Sequence, residues 1–283
     1  MQKFDMAKAW TININMVKDH GIVVGLILFA TYLIMALLFF SLFGGVSTSL
    51  FNPTEADPEA MAAMMAGRFG FLGLVSLGVF LLSIAGYFIS WRVVLSGKDE
   101  TIGGAFVYGL VASMPAFIAI IVLYIAFTIV FGIVFAIFGV ALFGAVGADS
   151  NSAGAGAVGL MVLLYIGLLG TMLFLFARLG TTGPIMAANR SYNPFGAMME
   201  SWKITKNNSL MLMLYLFLIS VAFFVVYMII ALVAGLLINL SVAIGIILGV
   251  VAIVPLMIFY LLVPAAIYSS LLDTNLDVEN VFS

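Results

Sequence analysis

Charged side chains leave the chain over long intervals, and those intervals predict its main elements. Ile22–Phe43 supplies 22 residues without a charge, Phe69–Trp91 supplies 23 closed by Arg92, and Val158–Ala177 supplies 20 closed by Arg178. Each meets the need for about 20 apolar residues in a helix crossing a hydrocarbon core roughly 30 Å thick. Ser209–Leu272 carries no charged side chain over 64 residues, too long for one crossing. Its natural break is Leu237–Ser241, where Asn239 and Ser241 offer polar groups. Spans near 209–236 and 242–270 follow, the second kinked by Pro255 and Pro264. The 44 residues Ala105–Ala148 have room for one long span or a tight pair.

Charge placement decides between these. Lys3, Lys8 and Lys18 precede the first span and put the amino terminus in the cytoplasm. Glu55, Asp57 and Glu59 then lie in an outer loop, and Arg92 and Lys98 return inside. A single crossing near 115–148 leaves Asp149 outside and Arg178, Arg190, Lys203 and Lys206 inside. Nine of the ten basic residues are then cytoplasmic, Arg68 being the exception. Two crossings would move Arg178 through Lys206 outside. The expectation is six spans, near 22–43, 69–91, 115–148, 158–177, 209–236 and 242–270, with both termini on the cytoplasmic side of a bacterial inner membrane. The Ile22–Phe43 run exceeds the roughly 7–15 residues of a signal-peptide core and reads as a retained span.

Composition agrees. The chain is 65% hydrophobic and 8% charged, with a mean hydropathy of +1.30. Those values exclude a soluble globular enzyme, a disordered chain and a nucleic-acid binder with a basic face. The formal charge of −2 provides no strong steering field. Without cysteine there is no disulfide framework, thiolate metal site or cysteine nucleophile. The fold class is an all-α integral membrane protein.

The segments before the odd-numbered spans have their own pattern. Phe195, Met198, Met199 and Trp202 recur at helical spacing while Glu200, Lys203 and Lys206 face elsewhere, with Asn193 as N-cap and Pro194 at the first helical position. Such a helix suits the membrane interface. In Phe4–Asp19, Met6, Trp10, Ile14 and Val17 share a face opposite Asp5, Lys8, Asn15 and Asp19, with Ile12 on the polar side. Thr101–Ala112 is a weaker counterpart carrying Gly103, Gly104 and Gly109. Ala9-Trp10, Gly109-Leu110 and Ser201-Trp202 hold the same place before the following span, and Gly104-Ala105 matches Gly196-Ala197. The expected organisation is a single membrane domain built as a parallel repeat with units 1–95, 96–188 and 189–283, each an interfacial helix followed by a two-span hairpin.

Residues 178–206 read Arg178-Leu-Gly-Thr-Thr-Gly-Pro184, then Asn193-Pro194-Phe-Gly-Ala197, then Ser201-Trp202-Lys203-Ile-Thr205-Lys206. This string resembles the membrane domain associated with glycerophosphoryl diester phosphodiesterases and its stand-alone YciC-type relatives, as does the opening Phe4-Asp5-Met6 with Ala9-Trp10. The resemblance implies a six-span inner-membrane protein. The catalytic domain of the fused members is absent from this sequence, so the resemblance implies no phosphodiesterase activity.

Chemistry-bearing residues are few. His20 is the one histidine; beside Asp19 at the membrane edge it reads as a polar residue ending the first helix. No H-E-x-x-H, G-x-S-x-G or phosphate loop occurs. No ionisable group sits centrally in a span, which argues against a proton- or ion-coupled pump. The expectation is a non-enzyme without cofactor or metal. Arg92 and Arg178 reach headgroup phosphate from the ends of their spans or act as topology anchors. Glu55, Asp57 and Glu59, followed by Met61, Met64 and Met65, read as a solvated loop, and Gly144–Gly159 as a flexible one. Ser241, Gly245 and Gly249 form a small-residue face suited to helix packing. The expected partners are membrane lipids with anionic headgroups and a protein within the membrane. The leading function is organising lipid or seating such a partner through the cytoplasmic-leaflet helices. The alternative is a permease subunit or passive lipid or solute pathway.

Overall fold

The computed structural model describes residues 3–43, 58–96, 100–146, 153–238 and 241–282. Regular structure among them is helical: α1 (Met6–Phe43), α2 (Pro58–Leu95), α3 (Ile102–Val146), α4 (Ala153–Leu179), α5 (Thr182–Ala188), α6 (Pro194–Thr205), a 3-10 turn (Lys206–Asn208), α7 (Ser209–Ile238) and α8 (Val242–Phe282). Six stretches among the described residues, in α1, in α2, in α3, from α4 through α5, from α6 through α7 and in α8, are long and apolar enough to cross a bilayer, and the chain is a multi-pass membrane protein.

Several elements run further than the charge pattern predicts. The segment 4–19 is not a separate interfacial helix, because α1 continues from Met6 through Asp19, His20 and Gly21 to Phe43. His20 therefore does not end a helix. Asp5 starts α1 instead, its carboxylate accepting from the N–H of Ala7 at 2.8 Å and Lys8 at 3.1 Å. Thr101–Ala112 likewise merges into α3, a single helix of 45 residues, about 68 Å at 1.5 Å per residue. Thr101 caps it through the Gly104 N–H at 3.0 Å. Glu59, expected in a loop, lies in the first turn of α2 behind Pro58, where proline and an acid both suit a helix start. Helix also claims Gly144 and Gly159; in an apolar medium, glycine keeps its helical hydrogen bonds because no water competes for them. Glu55, Asp57 and Asn239 lie outside the described residues.

Only α6 stands apart as a short helix before its span. Asn193 Oδ1 accepts from the Gly196 N–H at 3.0 Å and Pro194 opens the first turn. The buried helix α5 has no counterpart in the sequence reading. It ends at Asn189 and Arg190, the latter at φ 50°, with the Ser191 N–H on the Met186 carbonyl at 2.9 Å. This is a Schellman-type stop with arginine in the left-handed position usually given to glycine.

The long helices pack in chain order and close on themselves, α1 against α2, α2 against α3, α3 against α4, α4 against α7, α7 against α8 and α8 against α1. Among the described residues, the buried side chains gather toward one end. One core cluster gathers Phe88, Tyr108, Ala112 and Tyr268 around Ile185 and Met186 of α5. A second joins Phe4, Ala9, Leu212, Tyr215, Val263 and Ile267, and a third joins Val24, Leu28, Val94 and Leu262. The start of α1, end of α2, start of α3, end of α4, start of α7 and end of α8 thus meet at this packed end. Away from it, α3 over Ile120–Phe138 and α7 over Val221–Leu236 are largely exposed, as helix walls in lipid are.

Small residues permit the meeting. Ala9 is fully buried in the cluster with Val263 and Ile267 of α8. Gly109 lies so close to α2 that a β-carbon there would stand 2.9 Å from the Ala85 carbonyl oxygen. Ser201 Oγ donates to the Arg178 carbonyl at 2.7 Å at the end of α4. One turn on from each comes a buried small polar residue, Asn13, Ser113 and Thr205. Helix α8 receives side chains as well as surfaces. Pro264 removes the N–H that would bond the Tyr260 carbonyl, and on either side Asn13 Nδ2 donates to Phe259 O at 3.3 Å and Trp91 Nε1 to Leu261 O at 2.9 Å.

Gly109→Ala is expected to destabilise by about 1–3 kcal/mol through overpacking against backbone. Gly132→Ala, in the same helix where a β-carbon meets nothing within 4 Å, is expected to be neutral or slightly stabilising. Thermal unfolding in detergent, followed by circular dichroism, compares the two.

Candidate functional site

The packed end contains two arginines in like positions with unlike surroundings. Arg92 closes α2 and Arg178 closes α4. A guanidinium carries five N–H donors and a charge that does not titrate away, so each must find acceptors and an anion or remain at high cost when buried.

Arg92 finds both. Its Nε donates to Glu100 Oε2 at 2.8 Å and its Nη2 pairs with the same oxygen. Nη1 donates to the carbonyls of Ala187 at 2.7 Å and Ala188 at 3.0 Å, the free end of α5. The Tyr108 ring lies 5.8 Å from its guanidinium carbon, and Tyr108 itself donates to Ser191 O at 3.1 Å. The side chains of Arg92 and Glu100 are 11% and 9% exposed, so solvent does little to screen the pair. This arginine is a tie joining α2, α3 and α5.

Arg178 is 4% exposed and, among the described residues, has no carboxylate partner. Its guanidinium carbon sits 4.1 Å from the Trp202 ring centroid and 5.8 Å from that of Phe174. Trp202 and Phe174 meet edge to face at 5.9 Å. Nη1 reaches Thr205 Oγ1 at a long 3.4 Å, and Nε is enclosed without a partner. The hydroxyls beside it are occupied with one another: Thr181 Oγ1 and Ser201 Oγ are 2.7 Å apart, and Thr205 Oγ1 donates to Ser201 O at 2.7 Å. A buried charge stripped of water costs several kcal/mol, and a desolvated cation–π contact returns about 2 kcal/mol. The arginine is left short of acceptors.

The remaining residues singled out in the sequence divide between two faces of α6. Pro194, Ala197, Ser201 and Thr205 are buried against the protein. Phe195, Met199 and Trp202 point outward, Trp202 at 40% exposure, beside exposed Lys203 and Lys206. The inward face is made of small and hydroxyl side chains, so the apolar stripe read from the sequence belongs to the outer surface. Trp10, 42% exposed, stacks on Phe259 at 5.0 Å, on another side of the bundle. Pro184 is buried within α5.

Glu100 and Tyr108 carry no signal in the sequence, whereas Thr181 and Thr205 lie within the 178–206 string, Thr205 one helical turn after Ser201. Glu100 reaches Arg92 only through the chain reversal between α2 and α3, which no periodicity reveals. His20 Nδ1 is enclosed without a hydrogen-bond partner and Asp19 is exposed. No group of three or more His, Asp or Glu side chains gathers among the described residues.

Scans against family models, curated proteins and solved structures return no match to this chain. The family resemblance over 178–206 rests on those residues alone.

Glu100→Ala is expected to cost about 3 kcal/mol by leaving a buried arginine unpaired. The double replacement Arg92→Met with Glu100→Leu is expected to recover much of that loss. A double-mutant cycle on detergent-purified protein measures the coupling.

Proposed function

We propose that this chain is a non-enzymatic protein of a bacterial inner membrane that gathers lipid, or holds a membrane partner, at its cytoplasmic face. The six long apolar helices would cross as three hairpins, α1–α2, α3–α4 and α7–α8, with the packed end and both termini in the cytoplasm. Units near 1–95, 96–188 and 189–283 would repeat this pattern. Supporting the repeat, Ala9, Gly109 and Ser201 each make the close approach to the end of another unit's second long helix.

The observation that carries the reading is the outer face of α6. Phe195, Met199 and Trp202 lie exposed while the opposite face is buried in protein. A helix at headgroup depth embeds such a stripe in the acyl boundary and leaves Lys203 and Lys206 among phosphates. Basic residues near an anionic leaflet each contribute about 1 kcal/mol. Trp10 extends the aromatic belt on α1.

The experiment is lipid analysis of protein extracted from membranes by mild detergent. Lys203→Gln with Lys206→Gln is expected to lower the ratio of anionic to zwitterionic co-purified lipid about fivefold or more, with the melting temperature unchanged because both lysines are exposed. An unchanged ratio would overturn the reading.

A further inference from the structure

We propose that Arg178 is the base of a binding site for one phosphate-type anion, a lipid headgroup phosphate or free phosphate, walled by Trp202 and flanked by Lys203 and Lys206. The argument begins with the difference between the two arginines. Arg92 is neutralised by Glu100 and its donors fall on Glu100 and two carbonyls. Among the described residues Arg178, more deeply buried, has no carboxylate, an enclosed Nε without a partner and one long hydrogen bond, from Nη1. The same fold thus supplies an internal anion to one site and withholds it from the other.

The surroundings suit an anion and not a cation. Trp202 covers one face of the guanidinium at 4.1 Å, and the N–H edge of an arginine matches two phosphate oxygens. The adjoining residues Lys203 and Lys206 are exposed cations on the surface beside Trp202 and Thr205. Thr182, four residues after Arg178, has a hydroxyl enclosed without a partner, one more donor in the same turn region. Against this stands the internal alternative, a structural arginine held by Trp202 alone; it accounts for the ring contact but leaves the enclosed Nε unexplained. The proposal rests on the interfacial reading only in placing α6 at headgroup depth.

The test uses the full chain in maltoside detergent with its three tryptophans replaced biosynthetically by 5-fluorotryptophan. The three fluorine resonances are assigned through Trp10→Phe and Trp202→Phe. The probes are inorganic phosphate, short-chain phosphatidylglycerol and, as control, short-chain phosphatidylcholine. The expected result is a saturable one-to-one shift of the Trp202 resonance, with Trp10 and Trp91 unmoved. Arg178→Gln abolishes it, and Arg178→Lys weakens it at least tenfold because a point charge lacks the planar fork. Saturation by inorganic phosphate as well as by phosphatidylglycerol assigns free phosphate as sufficient; response to phosphatidylglycerol but not inorganic phosphate assigns the headgroup. No saturable shift with either anion in the unmodified chain overturns the proposal, whatever the folding of the variants, as does a shift retained in Arg178→Gln. Trp10 and Trp202 moving together without saturation also overturns the site while leaving interfacial binding intact. A saturable Trp202 shift beside an unchanged lipid ratio in the lysine variants keeps the site and rejects the broader reading.

Discussion

Helices whose walls face lipid gain nothing from the hydrophobic effect by touching one another, because acyl chains solvate leucine as well as another leucine does. They stay together only where backbones approach closely or where polar groups find partners that lipid cannot offer. In this chain both conditions are met at one end. Ala9, Gly109 and Ser201 remove the bulk that would hold helices apart, and side-chain donors from Asn13, Trp91, Arg92 and Ser201 settle on backbone carbonyls of neighbouring elements. The rest of each long helix is free to face the acyl chains.

Helix α8 is the hub of that end, since it contributes to all three core clusters. Its proline is part of the reason. Pro264 leaves the Tyr260 carbonyl without its helical N–H, and Asn13 of α1 and Trp91 of α2 donate to the carbonyls on either side of it, those of Phe259 and Leu261. The buried helix α5 fills the middle of the bundle end, with Gly183 leaving room for the Trp91 ring and Arg92 satisfying its terminal carbonyls. Local geometry and global packing therefore use the same residues, as a chain with one native arrangement requires.

The long spans were legible in the sequence because a charge-free run of twenty or more residues has one physical use. The Asn193–Pro194 start of α6 was legible for a similar reason, capping chemistry being local. The inner faces were not. An apolar stripe in a soluble protein marks the core, but in lipid the large apolar residues turn outward and small ones turn in. Phe195 and Trp202 were therefore readable as a stripe, while Ala197, Ser201 and Thr205, visible as members of the 178–206 string, carried no sign that they make the inward contact. The continuity of α1 through His20 was also hidden, because a histidine beside an aspartate occurs both at the end of a helix and within one, and α3 runs on through Pro115, which membrane helices tolerate where neighbouring groups satisfy the freed carbonyl. The Arg92–Glu100 pair depends on a chain reversal that spacing cannot show.

The central claim is that the helix ends which pack together lie on one face of the membrane. Because the chain has no cysteine, single cysteines report their side without background. Residues 3, 192 and 207 test the packed end, and 55, 150 and 240 the far end, in intact cells and inverted vesicles treated with a membrane-impermeant maleimide. The account predicts labelling of the first three only from the cytoplasmic side and of the second three only from outside. Labelling of 3 and 192 from opposite sides would contradict it.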